Sequence, residues 1–353
     1  MLRRLARIGF GPGKGPSGPL TRATRRVALL IGLGLAFLVV TTIYEAVATA
    51  NERARFPPPG RLVDVGGYRL HLRCDGRGSP TVVLESGGGM TSNEWELVQP
   101  EIAKFTRVCS YERRGLGWSE SGPPGDPVEV LHRLLTTAAV SGPYAIVGHS
   151  YGSGLALRFA YRFPNEVQGM VLAAASYPDE EVQRIAADRS EQDERYSQIY
   201  AWTTRTGLLR ITPERYLPEI LRVYFGLLRR YLPPKTAECE IAFLHQTRHV
   251  QAFHTERGWP TPKEGMEEVA ACKRGFGDMP LVVLSEKWVY SPDPGEQETA
   301  EARREEERQR RLAGMSSRGR KLDLESGHLI PLESPAAVVD AVRGVVLTSR
   351  SGR

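Results

Sequence analysis

The sequence predicts an α/β fold: a mostly parallel central sheet flanked by helices, interrupted by a helical insertion and preceded by one N-terminal transmembrane helix. Three observations predict it. An apolar run, Ala145-Ile146-Val147, turns through Gly148-His149-Ser150-Tyr151-Gly152 into a helix-like segment that stops at Pro164. Strand-like and helix-like stretches alternate through the region after Gly60, the pattern of a parallel sheet buried on both faces. Val27 to Tyr44 is an uncharged stretch of 18 residues.

That stretch is just long enough, at 1.5 Å per residue, to cross the hydrocarbon core. Seven basic residues (Arg3, Arg4, Arg7, Lys14, Arg22, Arg25, Arg26) and no acidic ones precede it. This bias puts the N-terminus in the cytoplasm and the bulk of the chain outside. A cleaved signal peptide competes, because Ala46-Val47-Ala48 and Ala48-Thr49-Ala50 both fit a small-x-small cleavage site. The long charged lead favours a retained anchor. Without those seven residues the formal charge of +6 falls to −1. The basicity is therefore a topology signal and not a nucleic-acid footprint. Residues 1–26, with glycine and proline spread over 10–20, read as a disordered basic tail. Residues 27–44 read as the anchor and 45–60 as a linker stiffened by three consecutive prolines. Residues 61–346 read as the catalytic domain.

The stretch around Ser150 has the order strand, sharp turn, helix. A serine exposed on such a turn needs small neighbours, which Gly148 and Gly152 supply, and the next amide, that of Tyr151, faces a developing oxyanion. A hydroxyl is a poor nucleophile at neutral pH, so a base must lie within hydrogen-bond reach. His328, in Glu325-Ser326-Gly327-His328, fills that role. Upstream, the short strand Thr81–Leu84 runs into Glu85-Ser86-Gly87-Gly88-Gly89-Met90. Its glycines let a backbone amide approach the substrate oxygen; Gly88, or a residue adjacent to it, is assigned as the second oxyanion donor.

These motifs resemble the α/β-hydrolase superfamily over roughly residues 60–346, of the esterase and lipase type. Tyr111-Glu112-Arg113-Arg114-Gly115-Leu116-Gly117-Trp118-Ser119 is similar to the family's Y-D-R-x-G-x-G-x-S loop, with Glu112 where Asp is usual. Leu70–Cys74 and Pro80–Leu84 look like its early strands. The resemblance implies a Ser–His hydrolytic site and a lid between the sixth and seventh strands, here about 180–275. Trp202, Tyr216, Tyr224 and Phe225 are candidates to line a pocket under that lid. The family usually places the triad acid as Asp after the seventh strand, but Leu281–Ser285 continues as Glu286-Lys287-Trp288. After the sixth strand, Ala174 and Ala175 occupy the alternative place. Asp179 is therefore ranked first as the acid, with Glu286 and Asp293 as the other candidates.

Of four cysteines (Cys74, Cys109, Cys239, Cys272), Cys74 and Cys109 pair if the family's strand order holds, because its second and fourth strands are neighbours. Cys239 with Cys272 is the weaker alternative. No C-x-x-C occurs, and His245 and His249 lack the Glu of a zincin, so no metal or cofactor is expected. His149 is expected to orient the elbow, and His71 and His132 to stand outside any constellation. Glu296 to Arg311 reads as an exposed polar helix or loop. The expected function is serine hydrolysis of a carboxylic ester, including lipid esters, with Ser150, His328 and Asp179 as triad and Tyr151 and Gly88 as oxyanion hole. A peptidase or amidase, or a ligand-binding protein on a hydrolase scaffold, is the alternative. Epoxide hydrolase and dehalogenase relatives use an Asp nucleophile, which position 150 does not provide.

Overall fold

The computed structural model describes residues 19–175, 198–258, 268, 275–286 and 296–351. Eight strands form one sheet: β1 (Arg61–Asp64), β2 (Arg69–Asp75), β3 (Thr81–Glu85), β4 (Val108–Tyr111), β5 (Tyr144–His149), β6 (Val167–Ala173), β7 (Leu281–Glu286) and β8 (Gly319–Leu324). The spatial order is β1-β2-β4-β3-β5-β6-β7-β8, antiparallel where β1, β2 and β4 meet and parallel thereafter. Strands β3, β4, β5 and β7 are buried along their whole length, which is why they read as continuous apolar runs and not as alternation. The edge strand β8 is half exposed and carries Arg320, Lys321 and Asp323, charges that discourage edge pairing.

Two cores sandwich the sheet. On one face lie Val128 and Leu131 of α3 (Pro127–Thr137) and Leu155 and Phe159 of α4 (Tyr151–Arg162). On the other lie Ile102 of α2 (Gln99–Ala103) and five valines of the C-terminal helix Pro335–Ser351. The parallel strands share one direction, so the loops after β3, β5, β6 and β7 converge at a single edge.

Cys74 and Cys109 face each other directly across β2 and β4 and form a disulfide with Cα atoms 4.1 Å apart. Cys239 is a buried thiol that burial pushes up to about 12, and Cys272 lies outside the described residues. The disulfide closes a sequence separation of 35. Replacing both cysteines by alanine is expected to cost about 3–4 kcal/mol of stability, read as a lower urea midpoint with a steeper slope, because the uncrosslinked chain exposes more surface when it unfolds.

The N-terminal helix α1 (Pro19–Arg55) is longer than the predicted anchor at both ends. It takes in Pro19–Arg26 of the expected tail and continues through 45–55 of the expected linker. Residues 45–55 are rich in Ala, Glu and Arg, all good helix formers, and no breaker intervenes before Pro57. Phe56 is buried with Cys239, Ala242 and Phe243, and Trp118 Nε1 donates to its carbonyl at 2.8 Å. The segment read as a free stalk is thus packed against the domain.

Between β6 and β7 the described chain is helical, as predicted for a lid: residues 198–205, then α5 (Leu208–Ile211), α6 (Glu219–Tyr231), α7 (Pro234–His245) and α8 (Thr247–Gly258). Before β8 comes the helix α9 (Glu296–Ala313), which places Leu312 and Ala313 in the sheet's core and also buries Arg308 and Gln309. A short α10 (Ile330–Glu333) then leads into α11 (Pro335–Ser351).

Candidate active site

Strand β5 delivers Ser150 into a turn that few residues tolerate: φ is 50° and ψ −118°. The backbone can make that turn because nothing stands in its way. A Cβ on Gly148 would lie 2.5 Å from the Gly152 carbonyl oxygen, and one on Gly152 would lie 2.3 Å from that of Glu85. The Ser150 amide donates to the Ala173 carbonyl at 2.9 Å, which fixes the turn to β6. Strain of this kind costs on the order of 1–3 kcal/mol and persists only where surrounding structure enforces it.

Above the elbow, His328 Nε2 lies 2.9 Å from Ser150 Oγ. His328 Nδ1 lies 3.0 Å from Glu286 Oε1, at the end of β7. The structure thus puts a glutamate where Asp179 was ranked first; Asp179 and Asp293 lie outside the described residues. Glu286 reaches the ring although it sits in the strand and not in the loop beyond it, because its side chain carries one more methylene than aspartate. It is buried, whereas the His328 side chain is half exposed.

The glycine loop after β3 is held amide by amide. Gly87 N–H donates to Glu94 Oε2 at 2.9 Å, Gly89 N–H to Glu256 Oε2 at 3.0 Å, and Met90 N–H to the Gly87 carbonyl at 3.1 Å. Among the described residues no acceptor takes the Gly88 N–H. Arg113 accounts for its direction. The guanidinium donates to the Ser86 carbonyl at 2.8 Å and the Gly87 carbonyl at 2.7 Å. In a planar trans peptide the N–H points opposite the C=O, so the Gly88 N–H is aimed away from Arg113. A Cβ on Gly88 would sit 3.4 Å from Tyr151 Cβ, which brings the two candidate oxyanion donors side by side.

Arg113 is itself buried and paired with two carboxylates, Glu85 at 2.5 Å and Glu256 at 2.5 Å. Burial raises the Glu85 carboxyl above its usual range, although the Arg113 charge works the other way. Tyr111 donates its hydroxyl to the other oxygen of Glu85.

Two further charged residues were not legible as site residues. Glu94 contacts His149 Nδ1, both side chains being fully buried, while His149 Nε2–H donates to the His328 backbone carbonyl at 2.7 Å. Burial opposes a charge on His149, but the Glu94 carboxylate and the His328 carbonyl outweigh it and hold the imidazole above its ordinary value. The Glu94–His149 pair therefore joins the glycine loop, the elbow and the His328 loop. His149 orients, as expected, but its partner Glu94 left no motif in the sequence. Glu112, the departure from the family's Asp, accepts from His71 Nδ1 at 2.5 Å and from the Ser92 amide at 3.0 Å, so His71 does have a partner. Gly60 N–H donates to the other ring nitrogen at 2.9 Å. His132 pairs with Glu166 at 3.0 Å and stacks on Phe163.

Helix α8 clamps the lid to the glycine loop. His249 Nε2–H donates to the Gly89 carbonyl at 2.9 Å, and His249 Nδ1 accepts from Gly117 N–H at 3.2 Å. His245 instead bonds the Ile241 carbonyl of its own helix at 2.8 Å. Burial first, then the charges of Arg248 and Arg113, push His249 down to about 4. Between that value and the ordinary 6.5 the unfolded chain binds a proton the folded chain refuses, so stability falls as pH falls through this window. Protonation also removes the acceptor for Gly117. The urea midpoint is expected to drop between about pH 6.5 and 4, and more shallowly in His249→Gln, which cannot charge.

A cleft of about 300 Å³ opens beside Tyr151, lined by Arg114, Pro124, Val130, Ala252 and Thr255 among others. The aromatic residues proposed to line a pocket do not line it. Trp202 and Tyr216 are exposed, Phe225 lies in the lid's own core, and Tyr224 packs against Leu228 and Leu232.

The curated relatives and solved structures agree with this architecture. The chain is 37% identical over 139 residues to the 2-hydroxymuconate semialdehyde hydrolase of Pseudomonas sp. (strain CF600), covering 36% of this chain and 48% of that one. It is 26% identical over 212 residues to the uncharacterized protein YbdG of Bacillus subtilis (strain 168), covering 57% and 64%. The chain thus spans less than two thirds of these relatives. Among solved structures, a putative epoxide hydrolase from Pseudomonas aeruginosa superposes with a TM-score of 0.61 at 19% identity, covering 84% of this chain and 98% of that one. A putative lipase from Acinetobacter baumannii AYE superposes with a TM-score of 0.58 at 17% identity, covering 88% and 97%. At such identities these likenesses speak for the fold alone. The family model described as the alpha/beta hydrolase family matches residues 82–341, and the chain belongs to that family.

Proposed function

We propose that this chain is a membrane-anchored serine hydrolase that cleaves carboxylic esters through an acyl-enzyme on Ser150. The observation that carries the reading is the unbroken relay from Ser150 Oγ through His328 to Glu286, at 2.9 and 3.0 Å. Glu286 accepts the Nδ1–H of His328, which leaves Nε2 free to take the serine proton as Oγ attacks the ester carbonyl. The tetrahedral oxyanion is received by the amides of Tyr151 and Gly88. His328 then protonates the leaving alcohol, and water enters by the same steps in reverse. A carboxylate on the base also favours an enzyme over a ligand-binding protein on this scaffold.

The anchor reading is supported by the apolar helix, by the seven basic residues before it, and by the Cys74–Cys109 disulfide. Disulfides persist in oxidising compartments, which suits a domain outside the cytoplasm. The test is labelling of the full-length protein in detergent with a fluorophosphonate, followed by mass mapping and an ester panel. Label on the Ser150 peptide with ester turnover is the expected result. Label without ester turnover, joined to cleavage of a carbon–carbon substrate, would place the chain with the semialdehyde hydrolase it partly matches. A folded protein that takes no label would overturn the enzyme reading.

A further inference from the structure

Helix α1 and the lid meet at the level where the apolar stretch ends. Along Val27–Tyr44 the large side chains are open on the surface: Leu30, Phe37 and Val40 are all more than half exposed. Thr41 and Glu45 are buried instead, because the lid covers them. Gly207 is so close that a Cβ there would stand 2.3 Å from the Thr41 carbonyl oxygen. Three residues on, Arg210 grips the helix, with Nε 2.6 Å from Glu45 Oε2 and Nη2 3.1 Å from Glu52 Oε2.

Thr41 lies within the apolar stretch, so Gly207 contacts the helix below the upper limit of the span. Trp202 and Ile211 are each one helical turn from Gly207. Thr206 N–H bonds the Trp202 carbonyl at 3.0 Å, and Ile211 N–H bonds the Gly207 carbonyl at 3.3 Å. A turn advances only about 5.4 Å, so both stay close to the height of Thr41. Both are open, Trp202 at 50% and Ile211 at 41%, and so are Ile199, three residues before Trp202, and Tyr216, five residues after Ile211, at 61% and 69%. Four large apolar or aromatic side chains are thus bared within residues 199–216, two of them a turn from the contact with α1, a concentration that water does not favour. Arg205 and Arg215 are exposed in the same stretch, Arg215 over the ring of Tyr216.

We infer that lid residues 198–216 are seated in the interfacial layer of the bilayer that α1 spans. Ile199, Trp202, Ile211 and Tyr216 lie at the acyl–headgroup boundary, where tryptophan and tyrosine are favoured. Arg205 and Arg215 face anionic headgroups. This rests on the anchor reading, and it adds that the lid and anchor are one membrane-bound unit. Cleavage after Ala48 or Ala50 would remove Glu45 and Thr41 from the lid, so the unit requires an intact α1.

The test reconstitutes the full-length protein in phosphatidylcholine–phosphatidylglycerol vesicles and compares it with Trp202→Phe. The emission lost on that substitution reports Trp202 alone. It is expected to be quenched by lipids brominated on the acyl chains and spared by aqueous iodide. A second reporter, Tyr216→Trp in the Trp202→Phe background, is expected to behave alike and guards against a local defect at position 202. Iodide quenching without bromolipid quenching at both positions would overturn the seat. Carbonate extraction and intact mass separate the two readings. Protein released by carbonate, or cut after Ala48 or Ala50, sinks the anchor and the seat together. An intact, carbonate-resistant protein with aqueous reporters sinks the seat alone.

Discussion

Ser150→Ala and His328→Ala are each expected to lower kcat by about 10⁶-fold, and the double variant by no more than either single one. The two residues act as a unit: without the base the hydroxyl keeps its proton, and without the hydroxyl the base has nothing to activate. A residual rate well above that in water should survive in all three variants, because the amides of Tyr151 and Gly88 still stabilise the oxyanion. Single-turnover kinetics on an activated ester check both points. KM should change little, since neither substitution removes a surface the substrate needs for binding. A double variant much slower than the singles would show that the 2.9 Å contact between Oγ and Nε2 is not the working one.

Glu286→Gln is expected to cost about 10⁴-fold in kcat, roughly 5.5 kcal/mol of transition-state stabilisation. The substitution keeps the shape of the side chain and changes what it offers. A carboxylate can only accept, so it holds the proton on Nδ1; an amide can turn its NH₂ to Nδ1 and drive the proton to Nε2, where it blocks the serine. Asp179→Asn, made in parallel, is expected to stay within a few-fold of wild type. The reverse ranking would move the acid role to the loop after β6. Equal, small losses in both would point to a Ser–His dyad. Protein amounts should be matched by folded fraction, because Glu286 is buried and its replacement perturbs the end of β7.

The legibility of these residues follows from how local their geometry is. The elbow was readable because its chemistry needs a strained turn, and the turn imposes Gly148 and Gly152 within two residues of Ser150. The disulfide was readable once a strand order was supposed, since Cys74 and Cys109 then share a register. Glu286 stands behind Asp179 in a reading of the sequence alone, because the reach of a carboxylate depends on side-chain length and on where a strand stops. Neither is written in a motif. Glu94 has no motif: its partners, Gly87 and His149, come from the loop after β3 and the end of β5, and only the packed fold brings them together. The packing of α1 on the lid was missed for the same reason. Arg210 meets Glu45 across 165 residues of chain, and a proline run after Arg55 invited the reading of a stalk.

One clamp has a thermodynamic corollary. Gly89 is held at both ends by helix α8, its N–H by Glu256 and its carbonyl by His249, and Arg113 ties Glu256 to the carbonyls that orient Gly88. Lid docking and the poise of the oxyanion amide therefore share one free energy. By reciprocity, whatever factor ligand binding beside Tyr151 adds to the hold of α8 on Gly89, that hold returns to ligand binding.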